Sequence, residues 1–287
     1  MPHIRFQQVD VFTSVPFKGN PLAVILDGDG LSTAQMQSIA NWTNLSETTF
    51  VQKPTDPTAD YRLRIFTPHA ELPFAGHPTI GSARAMLNAG YIPKRAGFLV
   101  QECEKGLIDL MIHHERVFLR LPEPKFTLPE SHQVRLVADA LGVPASVIDR
   151  AEIIDVGPVW FTVQLRHGHD VTNLKPDMAA IARLSPASIT GVNVFHLYNN
   201  GGQADVEVRS FAPAHGIAED PVCGSGNGCV AALIHRYKLL KKNSYAASQG
   251  RCLHRDGRVE VRFEGDAIWL GGDAITCIDG KLNPTFL

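Results

Sequence analysis

Apolar and polar positions change period many times along this 287-residue chain, and each change marks an element. Residues 4–12 read as a β-strand that ends in a loop at Ser14-Val15-Pro16. A short apolar strand at 22–26 follows the turn Gly19-Asn20-Pro21. The period then lengthens to that of a helix after Leu31. Ser32 is the expected N-cap, Gln35 completes a capping box, and Met36, Ile39 and Ala40 form the apolar face. Residues 49–51 and 61–66 read as strands, and 79–87 as a helix stopped by Asn88-Ala89-Gly90. Strands at 99–101, 107–113 and 117–121 complete a first β-rich half. Pro122-Glu123-Pro124 and Leu128-Pro129-Glu130-Ser131 mark a crossing. The same order then recurs. Helices are expected at 134–141, 177–184 and 229–240. Strands are expected within 151–165 and at 192–198, 205–211, 259–263, 268–270 and 274–278.

The recurrence reaches individual residues. Arg64-Ile65-Phe66-Thr67-Pro68 matches Arg209-Ser210-Phe211-Ala212-Pro213 at an offset of 145. Gly76 and Gly224 match at 148, so the second copy has a short insertion between strand and loop. Met36, Ile39 and Ala40 match Met178, Ile181 and Ala182 at 142. The chain is therefore expected to be two halves of one design, each a sheet wrapped around one or more helices. The expected N-terminal half is 1–121, completed by a C-terminal strand at 276–287, and the C-terminal half is 130–275. In each half a strand ends at proline and passes through a glycine-containing turn into a helix. Two helix starts facing one cleft offer two sets of backbone N–H groups to a small anion.

Composition narrows the classes. The length allows two domains, and 44% hydrophobic with 20% charged residues is ordinary for a soluble globular protein. A net charge of −2 leaves no basic footprint for nucleic acid. The densest basic run, Lys238-Leu239-Leu240-Lys241-Lys242, reads as cations near a helix C-terminus. No run approaches the roughly 18 apolar residues that suggest a membrane span. Residues 1–6 lack a basic region followed by an apolar run, and the five cysteines form no CxxC or disulfide framework. The expected location is the cytoplasm.

Three segments carry candidate chemistry. Glu47, in Asn44-Leu45-Ser46-Glu47-Thr48-Thr49-Phe50, lies between a helix and a strand, with Ser46 and two threonines as nearby hydroxyls. Its plain alternative is a surface or capping carboxylate. His77, in Ala75-Gly76-His77, sits where an imidazole can bind substrate or relay a proton, or simply be satisfied by backbone. Glu219-Asp220-Pro221-Val222-Cys223-Gly224-Ser225-Gly226 sets two carboxylates and a thiol beside a glycine-rich turn. The turn's glycines can equally be a backbone requirement. Gly224-Ser225-Gly226-Asn227-Gly228 has neither the spacing of a dinucleotide fingerprint nor the Lys-Ser/Thr of a P-loop. Cys223 breaks the Gly-x-Ser-x-Gly pattern of a nucleophile elbow. His69 with Glu71, and His113-His114-Glu115, do not have zinc-site spacing, so no metal is expected.

Together these segments resemble the phenazine-biosynthesis isomerase (PhzF-like) family, within the diaminopimelate-epimerase and proline-racemase fold group. The resemblance rests on Asp10-Val11-Phe12, Phe17-Lys18-Gly19-Asn20-Pro21, the stretch from Leu31-Ser32 to Met36, Asn44 through Phe50, Arg64 through Pro68, Glu71-Leu72-Pro73-Phe74-Ala75-Gly76-His77-Pro78 and Glu219-Asp220-Pro221. Ser-Glu-Thr-Thr-Phe and Phe-Ala-Gly-His-Pro are its most specific parts. It implies an α+β fold of two pseudo-symmetric halves, each a curved, mostly antiparallel sheet around a central helix, with the active site between them. It implies Glu47 as acid/base, with His77 and Asp220 lining the site, no organic cofactor or metal, and a homodimer. In the thiol epimerases of this fold group each helix start carries a cysteine. Here the first position is Ala75, and the second is Cys223 where the phenazine isomerase type carries Thr.

The expectation is a cofactor-independent isomerase that moves a proton on a small carboxylate-bearing metabolite. Glu47, His77 and Asp220 would be catalytic, and Ser46, Gly76, Gly224 and Ser225 would bind substrate. One alternative is an epimerase or racemase of an amino or hydroxy acid, with Glu47 and Cys223 as two bases. Another is a non-catalytic carboxylate binder.

Overall fold

The computed structural model describes residues 3–166, 169–184, 188–198 and 202–283. The chain divides into two compact units. One is Met1–Arg120 with Gly271–Leu287, and the other is Leu121–Leu270.

The first unit opens with β1 (Ile4–Val11) and β2 (Asn20–Ile25), then α1 (Thr33–Thr43). β3 (Thr48–Gln52), β4 (Tyr61–Phe66) and the two-residue β5 (Glu71–Leu72) lead into α2 (Gly76–Asn88). β6 (Phe98–Cys103), β7 (Gly106–His113) and β8 (Arg116–Arg120) follow. β1 pairs antiparallel with β2, β2 parallel with β3, and β3 antiparallel with β4. β4 takes β5 antiparallel and β6 parallel, and β6, β7 and β8 run antiparallel.

The second unit repeats this pairing for pairing. After β9 (Lys125–Thr127) and α3 (Ser131–Leu141) come β10 (Ile148–Asp155), β11 (Val159–Leu165) and α4 (Met178–Leu184). β12 (Gly191–Leu197), β13 (Val206–Ala212) and β14 (Ile217–Asp220) then lead into α5 (Gly224–Tyr237). β15 (Ser244–Gln249), β16 (Gly257–Glu264) and β17 (Ala267–Gly272) follow. β10–β11 is antiparallel, β11–β12 parallel, and β12–β13 antiparallel. β13 takes β14 antiparallel and β15 parallel, and β15–β16 is antiparallel. Each unit has a further strand beside its first long one. β9 pairs with β10, and β18 (Ala274–Leu282) pairs with β1. The fold is thus α+β, with two pseudo-symmetric halves. Within the segment 276–287, the last four positions lie outside the described residues.

Each sheet has a buried helix on one face and one or two partly exposed helices on the other. α2 buries nine of its residues, His77 through Ala83 together with Ala85 and Met86. Its small residues let β1 and β2 approach closely. A Cβ on Gly81 would lie 2.6 Å from Leu22 Cδ2 and 2.7 Å from Val11 Cγ2. α5 is buried in the same way from Gly226 to Ile234. A helix that is apolar nearly all round must be buried, and these two are. On the opposite face of the first sheet α1 lays Met36, Ile39 and Ala40 against Ile25, Phe50 and Phe66. Its expected capping box is formed, Ser32 and Gln35 each bonding the other's backbone N–H. In the second unit α3 and α4 cover Val163, Val194 and Phe211.

Several element bounds differ from those expected. α2 begins at Gly76 rather than at 79, and α5 at Gly224 rather than at 229. Glycine costs about 1 kcal/mol of helix propensity against alanine, but packing overrides that here. A Cβ on Gly226 would meet Ser210 Oγ at 2.6 Å, so the glycine is what lets the helix seat. α5 ends at Tyr237, where Lys238 adopts φ 52°, and its last turn carries His235 and Arg236. The basic run therefore begins at the cap and extends beyond the helix. β5, β9, β14 and β15 have no period in the sequence that marks them. β15, Ser-Tyr-Ala-Ala-Ser-Gln, has no β-branched residue. Among the described residues no helix is long and apolar enough to cross a membrane.

Candidate active site

Glu47 is presented by the loop that turns from α1 into β3. α1 ends where Asn44 takes the left-handed conformation at φ 53° and returns its N–H to Ala40. The hydroxyls of Thr43 and Thr48 meet at 2.7 Å and brace the two ends of this loop. Thr49 Oγ1 meets Ser82 Oγ at 2.8 Å. These two threonines are committed to the scaffold and do not serve the carboxyl, contrary to the expectation from sequence. Ser46 does hydrogen-bond it.

The Glu47 side chain is 14% exposed, and its Oε2 lies 3.4 Å from His77 Nε2. Burial raises the carboxyl from 4.5 to about 7, against the opposing effect of the Ser46 hydrogen bond. Near neutral pH both protonation states are then populated, which is what a group that takes and returns a proton requires. His77 is the second residue of α2, and its side chain is 7% exposed. The cap residue Ala75 offers no side-chain acceptor to the first turn. A Cβ on Gly76 would touch only Leu119 Cδ2 at 3.6 Å, so glycine leaves open space beside the helix start. Ser46, Glu47, Gly76 and His77 thus belong to one unit, and Glu47 and His77 are brought together.

Asp220, Cys223, Gly224 and Ser225 belong to the second unit. Asp220 closes β14, and its Oδ1 accepts the Val222 N–H at 3.0 Å across Pro221. Cys223 is the N-cap of α5, and its Sγ accepts the Gly226 N–H at 3.2 Å. One N–H of this helix start is therefore taken up by the chain itself. Ser225 Oγ lies 3.6 Å from Cys223 Sγ and accepts Trp160 Nε1–H at 3.0 Å. Cys223 is 4% exposed, and its thiol is pushed well above its ordinary value, first by burial and then by Asp220. Glu219, the other carboxylate of this segment, is held by Arg209 in a two-pronged pair at 2.9 and 2.8 Å.

Sequence reasoning missed the buried amides behind this loop: Asn193, Asn227 and Gln249, with the Ser210 hydroxyl. A signal was present for two of them. Asn193 interrupts the apolar run 192–195, and Ser210 stands directly before Phe211 in the repeated strand. Among the described residues no group of three or more His, Cys, Asp or Glu could hold a metal ion.

The chain is similar to known proteins along nearly its whole length. The model of the family described as phenazine biosynthesis-like protein matches residues 9–280. A Schizosaccharomyces pombe protein named Antisense-enhancing sequence 1 is 43% identical, over 98% of this chain and 99% of its own. The trans-2,3-dihydro-3-hydroxyanthranilate isomerase of Pseudomonas aeruginosa is 32% identical, over 96% of this chain and 98% of its own. The crystal structure of the Bacillus anthracis phenazine biosynthesis protein of the PhzF family superposes with a TM-score of 0.84. It covers 99% of this chain and 100% of its own at 24% identity, which speaks for the fold.

Proposed function

We propose that this chain, which belongs to the phenazine biosynthesis-like protein family, is a cofactor-independent isomerase. It moves a proton on a small carboxylate-bearing metabolite. The observation that carries the reading is the Glu47 carboxyl, raised to about 7 by burial and set 3.4 Å from His77 at a helix start without a side-chain cap. In its ionised form Glu47 removes a proton from an activated C–H, and it then delivers a proton elsewhere on the same face of the substrate. Backbone N–H groups at the Gly76 helix start stabilise the enolate-like charge that develops. Losing one such donor typically costs on the order of 3 kcal/mol of barrier. His77 orients the substrate or relays the proton. Asp220 shares that role, Ser46, Gly224 and Ser225 are assigned to substrate binding, and the assembly is taken to be a cytoplasmic homodimer.

The epimerase reading needs Cys223 to ionise. Burial and Asp220 oppose that, and the sulfur already serves as a cap. The relative from Pseudomonas aeruginosa makes trans-2,3-dihydro-3-hydroxyanthranilate the first compound to try. Turnover in D2O should place solvent deuterium on a substrate carbon, and Glu47→Gln should abolish that labelling. If no compound in a panel of small carboxylates exchanges, yet one stabilises the protein as a ligand does, the binder reading replaces this one. A ligand at 100 times its Kd adds about 2.7 kcal/mol. Light scattering checks the dimer.

A further inference from the structure

The second helix start is held by a linked set of buried amides and hydroxyls that the proposed chemistry does not use. Gln249 ends β15 and is 1% exposed. Its Oε1 accepts the Cys223 N–H at 3.1 Å and Asn227 Nδ2–H at 2.7 Å. Its Nε2 donates to the Asp220 carbonyl at 3.1 Å and to Ser210 Oγ at 3.3 Å. Ser210 donates on to Asn193 Oδ1 at 2.7 Å, and Asn193 Nδ2 donates to the Gly226 carbonyl at 2.7 Å. Asn227 Nδ2 also donates to the Cys223 carbonyl at 2.9 Å. A glutamine amide has two acceptor sites and two donors, and all four are used here. Three go to the segment 220–227, and the fourth goes to a strand that anchors it.

The segment needs such a hold. Gly224, Gly226 and Gly228 lose more conformational freedom on ordering than any other residue type. In the first unit the comparable glutamine, Gln101 on β6, donates to Thr79 Oγ1 at 3.1 Å. Thr79 and Asn227 are 148 positions apart, so they match in the repeat. Gln101 thus grips its helix inside the first turn, while Gln249 reaches back to the residues before the helix.

We propose that Gln249 is a positioning residue, fixing the backbone from Asp220 to Asn227 so that Asp220, Ser225 and the Cys223 thiol keep one orientation. This rests on the reading above that the segment serves the reaction. The geometry needed to place reacting groups is tighter than folding requires, and a shift of about 1 Å can cost on the order of 10²-fold in rate.

Gln249→Met keeps the length and removes all four bonds, whereas Gln249→Glu keeps the acceptor facing Cys223 and Asn227. Val194→Ala, in the core of the same unit, controls for lost stability alone. Iodoacetamide labelling of Cys223, read peptide by peptide, should be at least tenfold faster in Gln249→Met than in the parent or in Val194→Ala. Gln249→Glu should lie between. Equal labelling in Gln249→Met and Val194→Ala overturns the proposal. If Gln249→Met does not fold, hydrogen exchange on the unaltered protein decides: a protected Cys223 amide supports the hold, and one exchanging like an exposed amide overturns it. With an exchanging substrate in hand, Gln249→Met should lower kcat more than it raises KM. Faster labelling with unchanged turnover would keep the hold and remove the segment from the reaction.

Discussion

The two helix starts were built to one plan and then given different chemistry. Arg64 and Arg209 occupy matching places on β4 and β13. Each makes a two-pronged pair with the glutamate of the next short strand, Glu71 or Glu219. Each also stands over the phenylalanine two residues on, 5.1 Å from the Phe66 ring and 4.9 Å from the Phe211 ring. Glu71 and Glu219 match at 148, like the glycines. What the copies share is scaffold. The register of β3 on β4 and of β12 on β13 makes Val192 the counterpart of Thr48 in the repeat, and so Gly191 the counterpart of Glu47. A Cβ on Gly191 would lie 2.0 Å from the Phe211 carbonyl oxygen, so no side chain can replace that glycine without moving the strand. Ala75 matches Cys223 and His77 matches Ser225 at the 148 offset. The first copy has the carboxylate and imidazole without a thiol, and the second has the thiol without a carboxylate at the Glu47 place. A duplicated chain carries its own internal alignment, and the positions where its copies part are where function is to be sought.

The sharpest way to break this contrast is Glu47→Gln. The shape is kept and the proton acceptor is lost. Substrate proton exchange should fall by about 10²–10⁴-fold, with ligand binding and thermal unfolding retained. Near-normal exchange would move the acid/base role to another residue and dissolve the asymmetry between the copies.

The shared clamps should differ in strength. Arg209 and Glu219 are 7% and 8% exposed, whereas Arg64 and Glu71 are 17% and 31% exposed. Burial works against the charged Arg209, and Glu219 outweighs it, so its guanidinium is held above the ordinary value. Glu219→Gln leaves that buried cation without its counter-charge and should destabilise by about 3–5 kcal/mol. Glu71→Gln acts at a more solvated pair and should cost about 1 kcal/mol or less. Urea unfolding of the two variants measures the difference. Equal losses would mean that the clamps do not differ by burial.

The Glu47 pKa makes a separate statement about stability. Between pH 4.5 and about 7 the folded chain holds a proton that the unfolded chain has released. Stability from this group therefore falls as pH rises through that window and stays low above it. A rise of that size corresponds to about 3 kcal/mol. Glu47→Gln should thus gain Tm on the parent as pH goes from 5 to 8. Over the same range the activity of the parent should rise, as the base form fills. A Tm difference independent of pH would mean that Glu47 ionises at its ordinary value.

Much of this was legible in the sequence because it rests on local pattern. The Ser32–Gln35 capping box, the apolar face of α1 and the matched Arg-x-Phe-x-Pro runs are read from neighbours a few positions apart. The commitments of Thr48 and Thr49, and the capture of Glu219 by Arg209, were not legible. They depend on which strand lies beside which, and a one-residue change in register would turn each side chain to the other face. Gln249 was the hardest to see. It ends a strand with no β-branched residue, and its four partners are 22 to 39 positions away.

The smallest expected effect concerns Cys223, and it tests whether the thiol is chemistry or scaffold. Its sulfur accepts the Gly226 N–H, the task of a helix cap. Burial and Asp220 keep the thiol protonated at neutral pH, and a protonated thiol is no base. Serine is a preferred capping residue whose oxygen can take the same N–H. Cys223→Ser should therefore retain most activity, with a loss below about tenfold, or about 1.4 kcal/mol of barrier. Cys223→Ala keeps the small size without a cap acceptor. It should lose about 1 kcal/mol of stability, the usual value of a cap, while proton exchange changes little. A chemical role predicts another ranking, with both variants inactive and equally so, because neither has a thiol. Substrate-protected inactivation of the parent by an alkylating agent would accompany it. That pattern would make Cys223 the second base and turn the contrast between the copies into a division of labour within one epimerase.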